Sequence, residues 1–193
     1  MMRRACLALL ASLLAPVAGA DESVAICHGY GCYVQAQVRF SEAQLRDIGH
    51  SLAAAVDAAG ERSILADAVG RLYGWAGEQS DIRNDRGGNY ADGHVPGKMD
   101  CIDHSTSTTR LLKLLEARGM LRWHRVREPE QRHFILVFGD HWSAVIEEKG
   151  SGTGAAAGTA PASFAVDSWF VDNGRPAVVL PLADWKKGAG PDV

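Results

Sequence analysis

The stretch Gly97-Lys98-Met99-Asp100-Cys101-Ile102-Asp103-His104 constrains this chain most. A polar, glycine-rich run, 81–98, gives way here to a strong helix signal over 105–118. Asp100 is typed as an N-cap, and Asp103, three residues on, resembles the acidic half of a capping box. Cys101 therefore falls in the first helical turn, where unsatisfied N–H groups and the helix dipole favour a thiolate. Gly119 caps the other end.

The remaining cysteines give that thiol a setting. Arg3 and Arg4, the apolar run 5–15 and Ala18-Gly19-Ala20 have the layout of a secretory signal peptide over 1–20, with Asp21 as the first mature residue. The competing reading is an uncleaved signal anchor. The expected location is exported, periplasmic or secreted, with no stable membrane insertion after cleavage. Cys6 leaves with the leader. Cys27 and Cys32, separated by His28-Gly29-Tyr30-Gly31, form the expected disulfide, since two glycines let the chain turn back sharply. Cys101 is left unpaired, and an odd thiol in an exported chain is either buried structure or reactive chemistry.

Helical periodicity places a helix from Ser41, boxed by Gln44, to about residue 59, stopped by Gly60. A second spans about 62–76. A weakly alternating run, 33–40, reads as a strand after the disulfide loop. Beyond the Cys101 helix, runs rich in strand formers lie at 121–126, 134–138, 142–147 and 164–170, with Gly139-Asp140 as a hairpin turn. Residues 149–163 read as a low-complexity surface loop, 176–180 as a last edge strand, and 186–193 as a frayed tail. The mature part is enough for one domain with a real core. A net charge of −3 offers no basic face, which argues against nucleic acid as a partner. The glycine-rich run matches no phosphate-binding pattern.

A thiol nucleophile near neutral pH needs a base. His141 opens a strand directly after a turn, and Asp167 lies within Val166-Asp167-Ser168-Trp169, where a carboxylate needs a partner such as an imidazole. These two, with Cys101, are the expected catalytic triad. His104, His94 and His124 compete for the role of base, while His28, His50 and His133 lack a context tying them to Cys101. Asp172 is the second choice of acid, and an arginine salt bridge is the bland account of Asp167. Asn84 and Asn89 are candidate oxyanion donors beside the Cys101 N–H, and Trp142 is a candidate wall of the substrate site that, with Trp169, shields the His–Asp pair. No cofactor and no metal are expected.

Cys101 at a helix start, His141-Trp142 opening a strand and Val166-Asp167 on the next strand resemble the transglutaminase-like core of the papain-like cysteine hydrolases. The likeness covers about 97–169 and includes the chain order Cys, His, Asp. It implies an α+β fold with helices packed on an antiparallel sheet, and thiol chemistry at amides: hydrolysis of a peptide or other amide, or acyl transfer, on a peptide or protein substrate. Asp100 before the cysteine and the long low-complexity loop between the two strands depart from that pattern. Two other classes compete: a zinc site using Cys101, His104 and His141, with Asp167 as a further acceptable ligand, and a non-catalytic binding module in which Cys101 is buried and inert.

Overall fold

The computed structural model describes residues 20–133, 140–150 and 161–192. Most of the leader, the expected strand 134–138, Gly139 and most of the low-complexity loop lie outside the described residues. Among those described, four α-helices and two antiparallel sheets form a mixed α+β arrangement.

Strands β1 (Glu22–His28) and β2 (Val34–Phe40) pair as a hairpin in register from Glu22 with Phe40 to His28 with Val34. The sequence reading anticipated a strand only after the disulfide loop. In β1 the neighbours Ile26 and Cys27 are both fully buried, so the alternation that reveals a half-buried strand is missing. The disulfide joins Cys27 to Cys32 across the tip of this hairpin.

Helix α1 (Glu42–Ala53) begins with the Ser41–Gln44 capping box. It ends earlier than its periodicity suggests, and Gly60 does not stop it. Asp57 caps a second helix, α2 (Ala58–Gly77), its carboxylate accepting the Gly60 N–H at 2.7 Å, so Gly60 sits in the first turn of α2. A strong cap overrides the periodicity: Val56, within the helix expected to reach about residue 59, is exposed between the helices.

Helix α3 (Cys101–Ala117) packs against β1 and against the larger sheet. That sheet has the order β3-β4-β5-β6, from β3 (His124–His133), β4 (Asp140–Glu148), β5 (Ser163–Asp167) and β6 (Val178–Pro181). Strand β3 runs farther than its apolar residues, through the polar segment ending at His133. It is an edge strand, and its register with β4 shifts between Arg127 and Glu130, the interval holding Pro129, where a missing N–H does least harm. Asp140, expected in a turn, is the first residue of β4 and pairs with His133. Leu111, Leu112 and Leu115 of α3 join Ile26, Val38, Phe40, Leu65, Val69, Ile146 and Val166 in one core.

Helix α4 (Leu182–Lys186) corrects the expectation of a frayed tail. Trp185 is fully buried, Arg132 donates to the carbonyls of Trp185 and Ala189, both at 2.8 Å, and Gly190 packs against the Phe170 ring so closely that a Cβ would meet it at 2.5 Å. Among the described residues no helix is long and apolar enough to cross a membrane.

Candidate active site

The start of α3 and strand β4 of the larger sheet meet at Cys101. The capping box forms as the sequence suggests: the Asp100 carboxylate accepts the Asp103 N–H at 2.8 Å, and Asp103 accepts the Asp100 N–H at 3.1 Å. Cys101, an unpaired thiol, is half-buried in the turn they close. Pairing of β4 with β5 runs from Glu147 to Ala144 and then stops. Beyond that point Cys101 meets the β4 backbone, with Sγ 3.7 Å from the Asp140 carbonyl oxygen and the Trp142 N–H near enough to favour the thiolate.

The thiol is not the ready thiolate that a helix start suggests. Burial pushes its pKa up, and the Asp100 and Asp167 carboxylates push the same way. The N–H groups of Trp142 and of Cys101 itself oppose them without prevailing. At rest, therefore, Cys101 carries its proton, and attack by sulfur requires a base.

Residue 141 follows the carbonyl that touches the sulfur. His141 Nε2 and Asp167 Oδ2 are 2.7 Å apart, and both side chains are nearly fully buried. Asp167 is further satisfied by Trp185 Nε1–H on Oδ2 at 2.8 Å and by the Trp169 N–H on Oδ1 at 3.2 Å. The imidazole sits among three rings, with centroids at 4.9 Å for Trp169, 5.6 Å for Phe170 and 5.8 Å for Trp185. That cage excludes water from the pair and holds the ring at a fixed angle. Binding Nε2 to Asp167 leaves Nδ1 as the nitrogen not committed to the carboxylate. Arg132, paired with His141 across the β3–β4 ladder, places its guanidinium 4.9 Å from the centre of Trp185. Trp185 was absent from the sequence reading. Its signal was a lone tryptophan in a short polar tail, which burial alone explains.

The other candidates fall elsewhere. Asn84 spends its amide N–H on the Pro96 carbonyl at 3.2 Å, and Asn89 bridges Asp85 at 3.3 Å and Asp92 at 2.8 Å, so both tie the glycine-rich loop together. Asp172 accepts the Gly87 N–H at 3.1 Å and holds the same loop. The backbone donors acting on the sulfur are those of Cys101 and Trp142, and the Trp142 residue is half-buried. Tyr90, exposed, stands edge-on to Trp169 with centroids 5.0 Å apart.

His104 does not turn toward Cys101. Its Nε2 lies 2.9 Å from Asp85 Oδ2 and its Nδ1 2.9 Å from Ser168 Oγ, in a buried network continued by Thr108 and Tyr73. With both nitrogens engaged, His104 has no lone pair to share in a zinc set with Cys101 and His141. Among the described residues the ligating atoms that gather within 4.8 Å belong to Cys27, Cys32 and Asp103, and the two sulfurs are already bonded to each other. His124 is buried against Glu61, and His133 pairs with Asp140 at the exposed end of the β3–β4 ladder.

No family model matches this chain, and neither the curated proteins nor the solved structures include a match to it.

Proposed function

We propose that this chain is an exported thiol hydrolase or acyltransferase of the transglutaminase-like kind, acting on a peptide or other amide through a thioester at Cys101. One observation carries the reading: the strand that brings its backbone to the Cys101 sulfur also carries His141, whose Nε2 is held by Asp167 inside an aromatic cage. In this reading His141 takes the thiol proton as sulfur attacks the carbonyl carbon, and Asp167 stabilises the imidazolium that forms. Nearby N–H groups receive the developing oxyanion. The imidazolium then protonates the departing amine, and water or a second amine attacks the thioester. The Cys27–Cys32 disulfide is compatible with an oxidising compartment, as the leader-like start suggests.

A binding module with an inert Cys101 is the second reading, favoured by the burial that keeps the thiol protonated. Incubation with a pooled peptide mixture, acid quench and intact-mass measurement separates the two. The hydrolase reading expects an acyl adduct on Cys101 that Cys101→Ala and His141→Ala both lack. Amide turnover that survives alkylation of Cys101 contradicts it.

A further inference from the structure

The disulfide loop grips the same helical turn from another side. Gly29, Tyr30, Gly31 and Cys32 have consecutive positive φ values of 82°, 67°, 64° and 60°. Such a run turns successive N–H groups into one concavity that suits anions. All four find acceptors around the start of α3. Gly29 donates to the Lys98 carbonyl at 2.8 Å, Tyr30 to Asp103 Oδ2 at 2.8 Å, Gly31 to Asp100 Oδ2 at 2.9 Å, and Cys32 to Asp103 Oδ1 at 2.6 Å. Asp103 is fully buried beneath the loop. On a helix of 3.6 residues per turn, Asp103, Ser107 and Arg110 share a stripe away from Cys101. Ser107 accepts the Cys27 N–H at 2.8 Å, and Arg110 donates to the Ala25 carbonyl at 2.8 Å. The hairpin therefore holds one face of α3 while β4 meets the face bearing the thiol.

A second grip reaches the glycine-rich loop. Tyr30 Oη bonds Asp92 Oδ1 at 2.7 Å, Lys98 pairs with Asp92 at 2.8 Å, and the Tyr30 ring covers Gly93 so closely that a Cβ would meet it at 2.9 Å. Tyr30 and Cys32 are not glycines, and their left-handed backbone is unfavourable unless something enforces it. The Cys27–Cys32 bond closes the loop in which both lie.

We propose that the Cys27–Cys32 loop is a redox-sensitive clamp that sets Cys101 for reaction, with Asp103 as the positioning residue through which it acts. Closed, it hydrogen-bonds the two carboxylates at the helix start and fixes the turn carrying the thiol. A dithiol opens it: one reductant thiolate attacks a sulfur of the disulfide, and the second displaces the resulting mixed disulfide. Two electrons and two protons pass to Cys27 and Cys32, and the reductant leaves as its own disulfide. The loop then relaxes, three N–H donors leave Asp100 and Asp103, and the turn loses its anchor. Burial already pushes the Asp103 carboxyl up to about 6 with those donors in place, so their departure removes what holds the carboxylate at the turn that carries the nucleophile.

The proposal rests on the reading of Cys101 as the nucleophile, and the two are tested separately. Iodoacetamide labelling at neutral pH, read on the peptide containing Cys101, is compared for the oxidised full chain, the chain reduced with dithiothreitol, and Cys27→Ser/Cys32→Ser. Opening the clamp is expected to slow labelling of Cys101 about tenfold, the scale of a small misplacement of a reacting group. In Asp103→Asn the oxidised chain is already slow, and reduction changes it no further. Equal labelling of oxidised and reduced wild type overturns the proposal. So does an undiminished response to reduction in Asp103→Asn, or loss of the whole fold on reduction, because the clamp is local. His141→Ala tests the nucleophile reading alone, since its effect does not depend on the clamp.

Discussion

Two buried histidine–carboxylate pairs flank the larger sheet, and their likeness is instructive. His124 Nδ1 lies 2.8 Å from Glu61, and His141 Nε2 lies 2.7 Å from Asp167. All four side chains are almost wholly buried. The difference is in what the rest of each pair does. Glu61 also accepts the N–H groups of Arg122, Trp123 and His124, and Arg62, 3.2 Å away, occupies His124 Nε2. That pair pins the start of β3 to α2 and has no nitrogen to spare. The His104–Asp85 pair is similarly closed, by Ser168. His141 alone among these three has its second nitrogen outside such a network, on a strand that touches a thiol. A buried histidine–carboxylate pair by itself marks structure, and the uncommitted nitrogen of His141, one residue from the carbonyl that touches Cys101, is what the proposed chemistry rests on.

The largest effect that separates the pairs belongs to the first. Glu61→Ala strands four donors and is expected to cost about 3–5 kcal/mol in denaturant unfolding, while leaving Cys101 labelling in the folded protein unchanged. Burial alone would raise the Glu61 pKa, but bonds from His124, Arg122 and Trp123 outweigh it and hold it below the ordinary carboxyl range. A carboxyl depressed on folding stabilises above its unfolded pKa and loses that contribution as pH falls through its folded value. The acid limb of the stability curve should therefore shrink in Glu61→Ala. A changed labelling rate with unchanged stability would erase the distinction drawn between the pairs.

A smaller effect sharpens the second pair. Trp185→Phe keeps an aromatic ring against His141 but removes the Nε1–H bond to Asp167. The expected loss is about 1–2 kcal/mol of stability, with labelling of Cys101 at neutral pH slowed a few-fold because the carboxylate is less firmly held. Unaltered labelling would show that the indole N–H is dispensable for placing His141.

Legibility in the sequence tracks the range of the interactions involved. The α3 cap was plain because Asp100 and Asp103 act within one turn. His141 and Asp167 could be paired because each is a polar residue in a strand-like run, where burial demands a partner. Chain order suggested Cys101 as their companion, and the structure brings the sulfur to the residue before His141. The end of α1 was misplaced because the periodic stripe continued past Ala53, while the deciding bond, Asp57 to Gly60, belonged to the next helix. Trp185 and the tail after it gave no local signal, since their contacts to Asp167, Arg132 and Phe170 come from distant parts of the chain. The same holds for the disulfide loop: its glycines announced a turn, but not that the turn's N–H groups face the helix carrying the thiol. His104, one turn from Cys101, competed for the role of base but ranked behind His141, and the helix directs it into the Asp85–Ser168 network.

The central claim is that His141 activates an otherwise protonated Cys101. The most direct measurement is the pH dependence of Cys101 labelling by iodoacetamide in wild type and His141→Ala. Wild type should carry an arm of labelling at neutral pH, ahead of the main thiol ionisation. The variant should lose that arm, react roughly a hundredfold more slowly at neutral pH, and show a single rise above the ordinary thiol range. Superimposable profiles for the two proteins would contradict the account and leave Cys101 a buried, inert thiol.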